Sequence, residues 1–338
     1  MDATSRPSTR HPRSRGADRP RAAVADRGDH TAGDIRIGIS GWTYTPWRGD
    51  FFPPGLKQRQ ELGYASAAFR AIEINGTFYR LQRPAAFGAW FDATPADFMF
   101  TVKGPRFITH IRRLRDVEAP LANFLASGLL RLGSKLGPLL WQFPPNFRFE
   151  PERLRAFLSL LPRDTEQAVT LARQHDGRLK GDVWLATDQR RPLRHAIEIR
   201  HESFRDPAFI ELLREQNVAL VCADTVHWPR LFDITAGFAY CRLHGSRELY
   251  RSGYNAADLD LWAARARDWA AGKQPEGDHA GAVISTAGPR DVFIFFDNTD
   301  KRHAPKNARG LMRRLGQAVP SRRDALAWAE APKHGDTA

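Results

Sequence analysis

The amino-acid sequence predicts a single TIM-type (β/α)8 barrel, an α/β fold built on a closed parallel sheet. Eight short apolar runs follow one another along the chain, each bounded by turn residues. Most are followed by an amphipathic helical stretch, which implies parallel strands joined by right-handed crossovers. The eight units occupy about 290 residues, the span of one closed barrel. An open doubly wound sheet is the rival architecture. It would carry a Gly-rich phosphate loop after its first strand, and GISGWTYTPW (38–47) does not have the form GxGxxG.

Taken in order, residues 1–33 are rich in Arg, Asp, Ser and Pro and nearly free of large apolar groups. Such a segment cannot bury enough surface to offset its ordering entropy, so a disordered basic extension is expected. The barrel is assigned to 34–320 and a C-terminal tail to 321–338. Strands are expected at IRIGIS (35–40), AIEIN (71–75), FMFTVK (98–103), GPLLWQF (137–143), HAIEIR (195–200), VALVCAD (218–224), FAYCRLHG (238–245) and VFIFFDN (292–298). Helices are expected at PERLRAFLSLL (151–161), DPAFIELLREQN (206–217), DLDLWAARARDWAAG (258–272) and APKNARGLMRRLGQ (304–317), with Asp258 and Gly272 as the caps of the third. Residues 164–194 lengthen the fourth connection well beyond a normal loop. Within them LARQHDGRLKG is expected to add a helix, and the whole is read as a lid or as surface decoration. Residues 273–291 form a second, Gly- and Pro-containing insertion.

Composition narrows the function classes. The chain has 338 residues, 42% of them hydrophobic, enough for a sizeable core. A mean hydropathy of −0.48 argues against a membrane protein, as does the lack of any run near the roughly 20 apolar residues that span a bilayer. The first residues lack the apolar stretch of a secretory signal. Cys222 and Cys241, both inside strand runs and with no CxxC or His at metal spacing, read as buried reduced thiols, which fits a cytoplasmic setting. The net charge is +13; residues 1–34 hold seven Arg and five Asp, so +11 belongs to residues 35–338. A basic body favours anionic partners: phosphorylated small molecules, nucleic acid or acidic polysaccharide.

In a barrel of this kind catalytic groups lie at the C-terminal ends of the strands. Alternation places Glu73 and Asn75 on one face of strand two, Thr101 and Lys103 on one face of strand three, Glu198 and Arg200 on one face of strand five, and Arg242 and His244 on one face of strand seven. Strand four carries Gln142, His201 follows strand five, strand six ends at Asp224, and strand eight ends with Asp297 and Asn298. A carboxylate inside a strand is costly unless paired, so Glu73 and Glu198 are expected to meet Lys103, Arg200 or Arg242. Such a lattice would either fix barrel geometry or serve a reaction. In the second case Lys103, Arg200 and Arg242 would bind negative charge, Glu198 or Glu73 would act as general base, and His201 or His244 as acid, giving hydrolase- or lyase-type chemistry on an anionic or sugar-phosphate substrate. Trp42, Tyr44, Trp47, Phe78 and Tyr79, after strands one and two, would stack on a sugar ring or base, or else pack loops. Two alternatives stand beside this. Glu73, Glu198, Asp224 and His244 are the residue types that hold a divalent metal, although there is no HxH or HExxH cluster to favour it and no organic-cofactor motif. A non-catalytic nucleic-acid-binding module would use the basic surface, the Arg-rich tail and the exposed aromatics.

The strings GISGWTYTPWRGDFFP, AIEINGTFYRLQRP, FMFTVKGPRFITH, LGPLLWQFPPNF, AIEIRHESF, CRLHG and YNAADL resemble those of the YecE-like family, the domain-of-unknown-function family numbered seventy-two. The resemblance covers residues 35–317. It implies a TIM-type barrel and a set of recurrent positions, here Trp42, Tyr44, Glu73, Asn75, Tyr79, Lys103, Gln142, Pro144, Glu198, Arg200, His201, Asp224, Arg242, His244, Gly245, Tyr254 and Asn298, but no reaction. The family usually shows two Asn after strand eight, where this chain has Asp297 and then Asn298, an added negative charge.

Overall fold

The structure, a computed structural model, describes residues 32–179, 181–245, 253–284, 288–298 and 302–331. The expected N-terminal extension therefore lies, up to residue 31, outside the described residues. Eight strands close a parallel barrel in sequence order: β1 (Ile35–Ser40), β2 (Ala71–Ile74), β3 (Met99–Lys103), β4 (Leu136–Gln142), β5 (His195–Glu198), β6 (Ala219–Asp224), β7 (Phe238–Leu243) and β8 (Asp291–Phe296), with β8 pairing β1. The helices are α1 (Glu61–Ala68), α2 (Gly76–Tyr79), α3 (Pro84–Asp92), α4 (Glu118–Ala126), α5 (Pro151–Leu160), α6 (Thr165–Ala172), α7 (Pro207–Glu215), α8 (Ala256–Ala270), α9 (Ala304–Arg314) and α10 (Arg322–Glu330). The β6–β7 connection departs from the β/α alternation: its described residues, 225–237, form no helix.

Two sets of apolar side chains sort by strand parity. Outward-facing residues such as Ile37, Ile39, Ile72, Ile74, Trp141 and Ile197 pack against the helices. Inward-facing Ala71, Leu140, Ala196, Ala219, Val221, Phe238, Tyr240, Phe293 and Phe295 fill the barrel. The bulky rings come from β7 and β8, and the small residues opposite make room for them. Gly38 in β1 is part of that fit: a Cβ there would stand 2.1 Å from the Ala71 carbonyl oxygen and 3.0 Å from the Phe295 ring.

Several local expectations are corrected. α8 is capped by Asn255, whose side chain accepts from Asp258 N while the Asp258 carboxylate accepts from Asn255 N, so Asp258 is the second half of a capping box rather than the cap. Within 164–194 the helix is α6, started by the Asp164 carboxylate accepting from Gln167 N, and not LARQHDGRLKG. The insertion is fastened to the barrel by Trp184 N donating to Ala126 O and by the Asn123–Asp176 side-chain pair. The C-terminal tail contributes α10, which packs on α1 through buried Ala325 and Ala329. No helix among the described residues is long and apolar enough to cross a membrane.

Candidate functional site

At the C-terminal end of the barrel the inward parity of β2, β5 and β7 brings Glu73, Glu198 and Arg242 together, as alternation predicts. Arg242, 1% exposed, is the hub. Its Nε donates to Glu73 Oε2 at 3.0 Å, its Nη2 to Glu73 Oε1 at 2.8 Å and to Asp297 Oδ2 at 2.7 Å, and its Nη1 to Glu198 Oε2. Arg200 closes the ring from the other side, Nε to Glu198 Oε1 at 2.8 Å, with its guanidinium 3.7 Å from the centre of the Trp228 ring. Beneath lies a layer of hydroxyls: Ser40 Oγ donates to Glu73 Oε1 at 2.8 Å and Tyr240 to Glu73 Oε2 at 2.7 Å, with Thr101 bonded to Tyr240 at 2.9 Å. The charge that Asp297 adds is thus taken up by Arg242.

These contacts decide what each group can do. Burial opposes the charge on Glu198, but Arg242 and Arg200 outweigh it and hold the carboxyl well below the usual range. A carboxylate so weakly basic, with both oxygens committed to guanidinium groups, is a poor general base, which corrects the role expected for Glu198. Glu73 accepts four hydrogen bonds through the same two oxygens. His244 is fully buried, with Nδ1 3.5 Å from Asp297 Oδ2 and Nε2 3.9 Å from Glu198 Oε2. Burial and then Arg242 drive its pKa down to about 3, so it is a neutral imidazole at pH 7 and not an imidazolium acid. His201 is also reassigned: its Nδ1 accepts from Ser203 N at 3.0 Å and caps the short turn Glu202–Phe204.

Lys103 is the exception. Its ammonium lies 4.3 Å from the centre of the Phe78 ring, and among the described residues no oxygen accepts from it and no carboxylate stands within ion-pair distance. Burial first, and Arg242 second, push its pKa down to about 8, against the pull of Glu198, Glu73 and Asp297. Beyond Phe78 opens a cleft of about 670 Å³ walled by Tyr79, Arg80, Arg106, Phe107, Ile108 and Ile111, with Asp176 and Arg178 of the insertion on its rim. A second hollow of about 330 Å³ holds Trp42, Tyr44, Asn75, Tyr79, Arg80 and Trp90. These two concave spaces therefore flank the ion-pair ring instead of capping it, with Tyr79 and Arg80 lining both. Tyr44 reaches back to the ring by donating to Ser40 O at 2.9 Å.

Three expected site residues fall behind the sheet. β6 turns Ala219 and Val221 inward, so Asp224 shares the outward parity of Leu220 and Cys222; it accepts from Tyr254 Oη at 2.8 Å and from Arg230 Nη1 at 2.6 Å. Tyr254 Oη also accepts from Gly245 N. Asn298 follows the outward Phe296 and donates to Asn307 of α9 at 3.2 Å. Gln142 keeps the inward parity and is buried. The metal quartet is accordingly broken up: Asp224 is on the far side of the sheet, and Arg242 occupies the space between Glu73 and Glu198 that a cation would need. Among the described residues no three His, Cys, Asp or Glu side chains converge as metal ligands would. Ser40, Tyr240, Trp228 and His110 are site neighbours that sequence reading missed. Ser40 and Tyr240 carried a signal, since each sits at even spacing from an inward residue, Gly38 and Arg242. Trp228, from a helix-free loop, carried none.

The profile described as "Protein of unknown function DUF72" matches residues 36–332. Among curated relatives, the UPF0759 protein YecE of Escherichia coli K12 is 30% identical over 138 residues, 40% of this chain and 47% of that protein. The UPF0759 protein YunF of Bacillus subtilis is 30% identical over 128 residues, 36% and 43% respectively, so the matched part spans about half the length of these relatives or less. A DUF72 family protein of Thermotoga maritima superposes with a TM-score of 0.63 at 23% identity, over 84% of this chain and all of that one. One from Enterococcus faecalis gives 0.59 at 18% identity, over 86% and 100%. These likenesses agree with the closed eight-stranded barrel, and the extent of the profile match makes this chain a member of the DUF72 family of proteins of unknown function.

Proposed function

We propose that the chain is an enzyme performing acid/base chemistry at the C-terminal mouth of the barrel on an anionic substrate of the sugar-phosphate or nucleic-acid-derived kind. Lys103 carries this reading. Around it each carboxylate is hydrogen-bonded to a guanidinium, three carboxylates sharing two, and His244 is neutral, whereas Lys103 is a buried amine with no oxygen partner among the described residues and a pKa of about 8, near enough to neutrality to give and take a proton. Arg200 and Arg242 supply positive charge in a water-poor bowl, where its effect on a developing anion is strong. Glu73 and Glu198 hold those two guanidiniums in place.

The test is turnover of a defined panel, ribose 5-phosphate, bis-p-nitrophenyl phosphate and an abasic-site oligonucleotide, by the full chain and by Lys103→Met. Conversion of at least one member, lowered by two or more orders of magnitude in Lys103→Met with the melting temperature within a few degrees, is expected for a general acid/base. A variant as active as the parent, or no conversion at all, would count against the proposal. The variant Glu198→Gln is expected to lose both stability and turnover, because it uncovers Arg200 and Arg242 together.

A second reading, nucleic-acid binding without catalysis, draws on the cleft. Tyr79 and Ile111 are 71% and 58% exposed, and Arg80, Arg106 and Arg178 line the same cleft. Exposed rings interleaved with basic groups suit single strands. Its mark is affinity for a single-stranded oligonucleotide that falls steeply with salt and is weakened by Tyr79→Ala.

A further inference from the structure

Two lysines in this barrel are buried against phenylalanine rings at nearly the same distance, 4.3 Å for Lys103 over Phe78 and 4.2 Å for Lys135 over Phe91. Their surroundings differ in one respect. The Lys135 ammonium donates to Phe91 O, Thr94 O and Thr94 Oγ1, which accounts for all three of its protons. Among the described residues the Lys103 ammonium has no such acceptor. It ends β3 on the inner face, 8% exposed, between the ion-pair ring and the aromatic wall of the cleft.

A structural lysine does not need this arrangement, and neither does one that only binds phosphate, for which an array of donors is the usual solution. An amine that must shed its proton and attack carbon does need it: desolvation and a neighbouring cation both favour the neutral nucleophile. Resting on the proposed acid/base reading of the same site, we infer that Lys103 is a covalent catalyst that forms an imine with the carbonyl group of a phosphorylated aldehyde or ketone, such as an open-chain sugar phosphate.

The step balances without a further reagent. The Nζ lone pair attacks the carbonyl carbon, forming a C–N bond as the C=O π pair moves to oxygen. Proton transfer from nitrogen to that oxygen gives the neutral carbinolamine. The hydroxyl takes up a proton and leaves as water, and the nitrogen lone pair forms the C=N bond of a cationic iminium. Net, amine, carbonyl and one proton give iminium and water. The iminium places its positive charge where the ammonium stood, in the field of Glu73, Glu198 and Asp297, with Arg242 opposing. His110, packed edge-on against the same Phe78 ring at 5.0 Å, has its pKa driven down to about 4 by burial, then by Lys103 and Arg200, and is a neutral imidazole at neutral pH. Arg200 and Arg106 remain available for the phosphate.

Eight lysines in 338 residues make the proposal directly readable. The full chain is incubated with pyridoxal 5′-phosphate, a phosphorylated aldehyde, reduced with cyanoborohydride, and mapped by peptide mass spectrometry. The expected result is a pyridoxyl group on Lys103 at about tenfold or greater occupancy than on any other lysine, displaced by glyceraldehyde 3-phosphate, and forming faster as pH rises toward 8, as a desolvated nucleophilic lysine requires. Lys103→Arg, which keeps the charge, is expected to lose that adduct while melting like the parent. An unmodified Lys103 beside modified surface lysines overturns the inference, as does displacement by inorganic phosphate but not by glyceraldehyde 3-phosphate, the mark of an anion site alone. If the substrate panel is turned over while Lys103 stays unmodified, the acid/base reading stands and the imine falls. If Lys103 is modified and none of the panel is turned over, the imine stands and the acid/base reading on those substrates falls.

Discussion

The two ends of the barrel use charge in opposite ways. At the N-terminal end Arg36 and Arg70 share Asp34 and Arg194 meets Asp291, all partly exposed pairs, while Lys135 is saturated by backbone and hydroxyl oxygens. At the C-terminal end three carboxylates crowd around one guanidinium that solvent barely touches, and a second lysine has an aromatic face and, among the described residues, no acceptor. The first end can lose a pair and let water replace it. The second cannot, because water is excluded and each charge is tolerated only through the others. Charge at one end thus closes the barrel, and at the other it surrounds a desolvated lysine whose pKa is lowered to about 8.

The largest test of that contrast is Arg242→Met, which takes the guanidinium from Glu73 and Asp297 and leaves Glu198 with Arg200 alone. A loss of about 3–5 kcal/mol in urea unfolding is expected, whereas Arg194→Ala at the other end should cost about 1 kcal/mol or less. Similar losses at the two sites would erase the distinction.

Next in size is an acid effect. His195 accepts from Trp141 Nε1 at its Nδ1 and donates from Nε2 to Pro162 O, so the folded protein needs the neutral ring, and burial drives its pKa down to about 4. The unfolded chain binds the proton near pH 6.5 and the folded one does not, so stability is full above that value and falls as pH drops from about 6.5 to 4. His195 alone contributes roughly 3 kcal/mol to the change, and His244 acts in the same direction. Urea titrations at pH 7 and pH 4.5 should show the decline, and His195→Phe should flatten it. A parent protein equally stable at both values would refute the neutral-imidazole reading.

The finest comparison is between the lysines. Lys135→Met abandons buried carbonyls and should cost about 1–3 kcal/mol. Lys103→Met removes a desolvated cation and should leave stability unchanged or raise it by up to about 2 kcal/mol. Calorimetry of the two variants side by side sharpens the contrast, and a loss beyond about 1 kcal/mol for Lys103→Met would remove it.

How much of this could be read from the chain depended on whether each strand's two faces differ. AIEI and AIEIR alternate, so the inward positions of Glu73, Glu198 and Arg200 followed from spacing alone. VALVCAD and VFIFFDN are apolar on both faces, as strands covered on both sides must be, so alternation has no sign there, and it gives no reason to leave Asp224 and Asn298 out of the expected site. Of the partners that turn Glu198 from a base into an anchor, Arg200 stands two residues further along the same strand, whereas Arg242 comes from β7, two strands away, and reaches Glu198 only across the inside of the closed barrel. α6 was misplaced although its signal was present, an Asp164 cap with Gln167 three residues on.

One small device bears on how this fold diversifies. The hydroxyl of Tyr254 joins Gly245, where β7 has ended, to Asp224 at the tip of β6. Gly245 and Tyr254, apart on the path of the chain, are thereby held to the scaffold through one side chain. Doubling the length of a segment so anchored costs only about 0.6 kcal/mol in closure entropy. A graft between these anchors would vary the chain they bracket while leaving the sheet beneath Asp224 untouched.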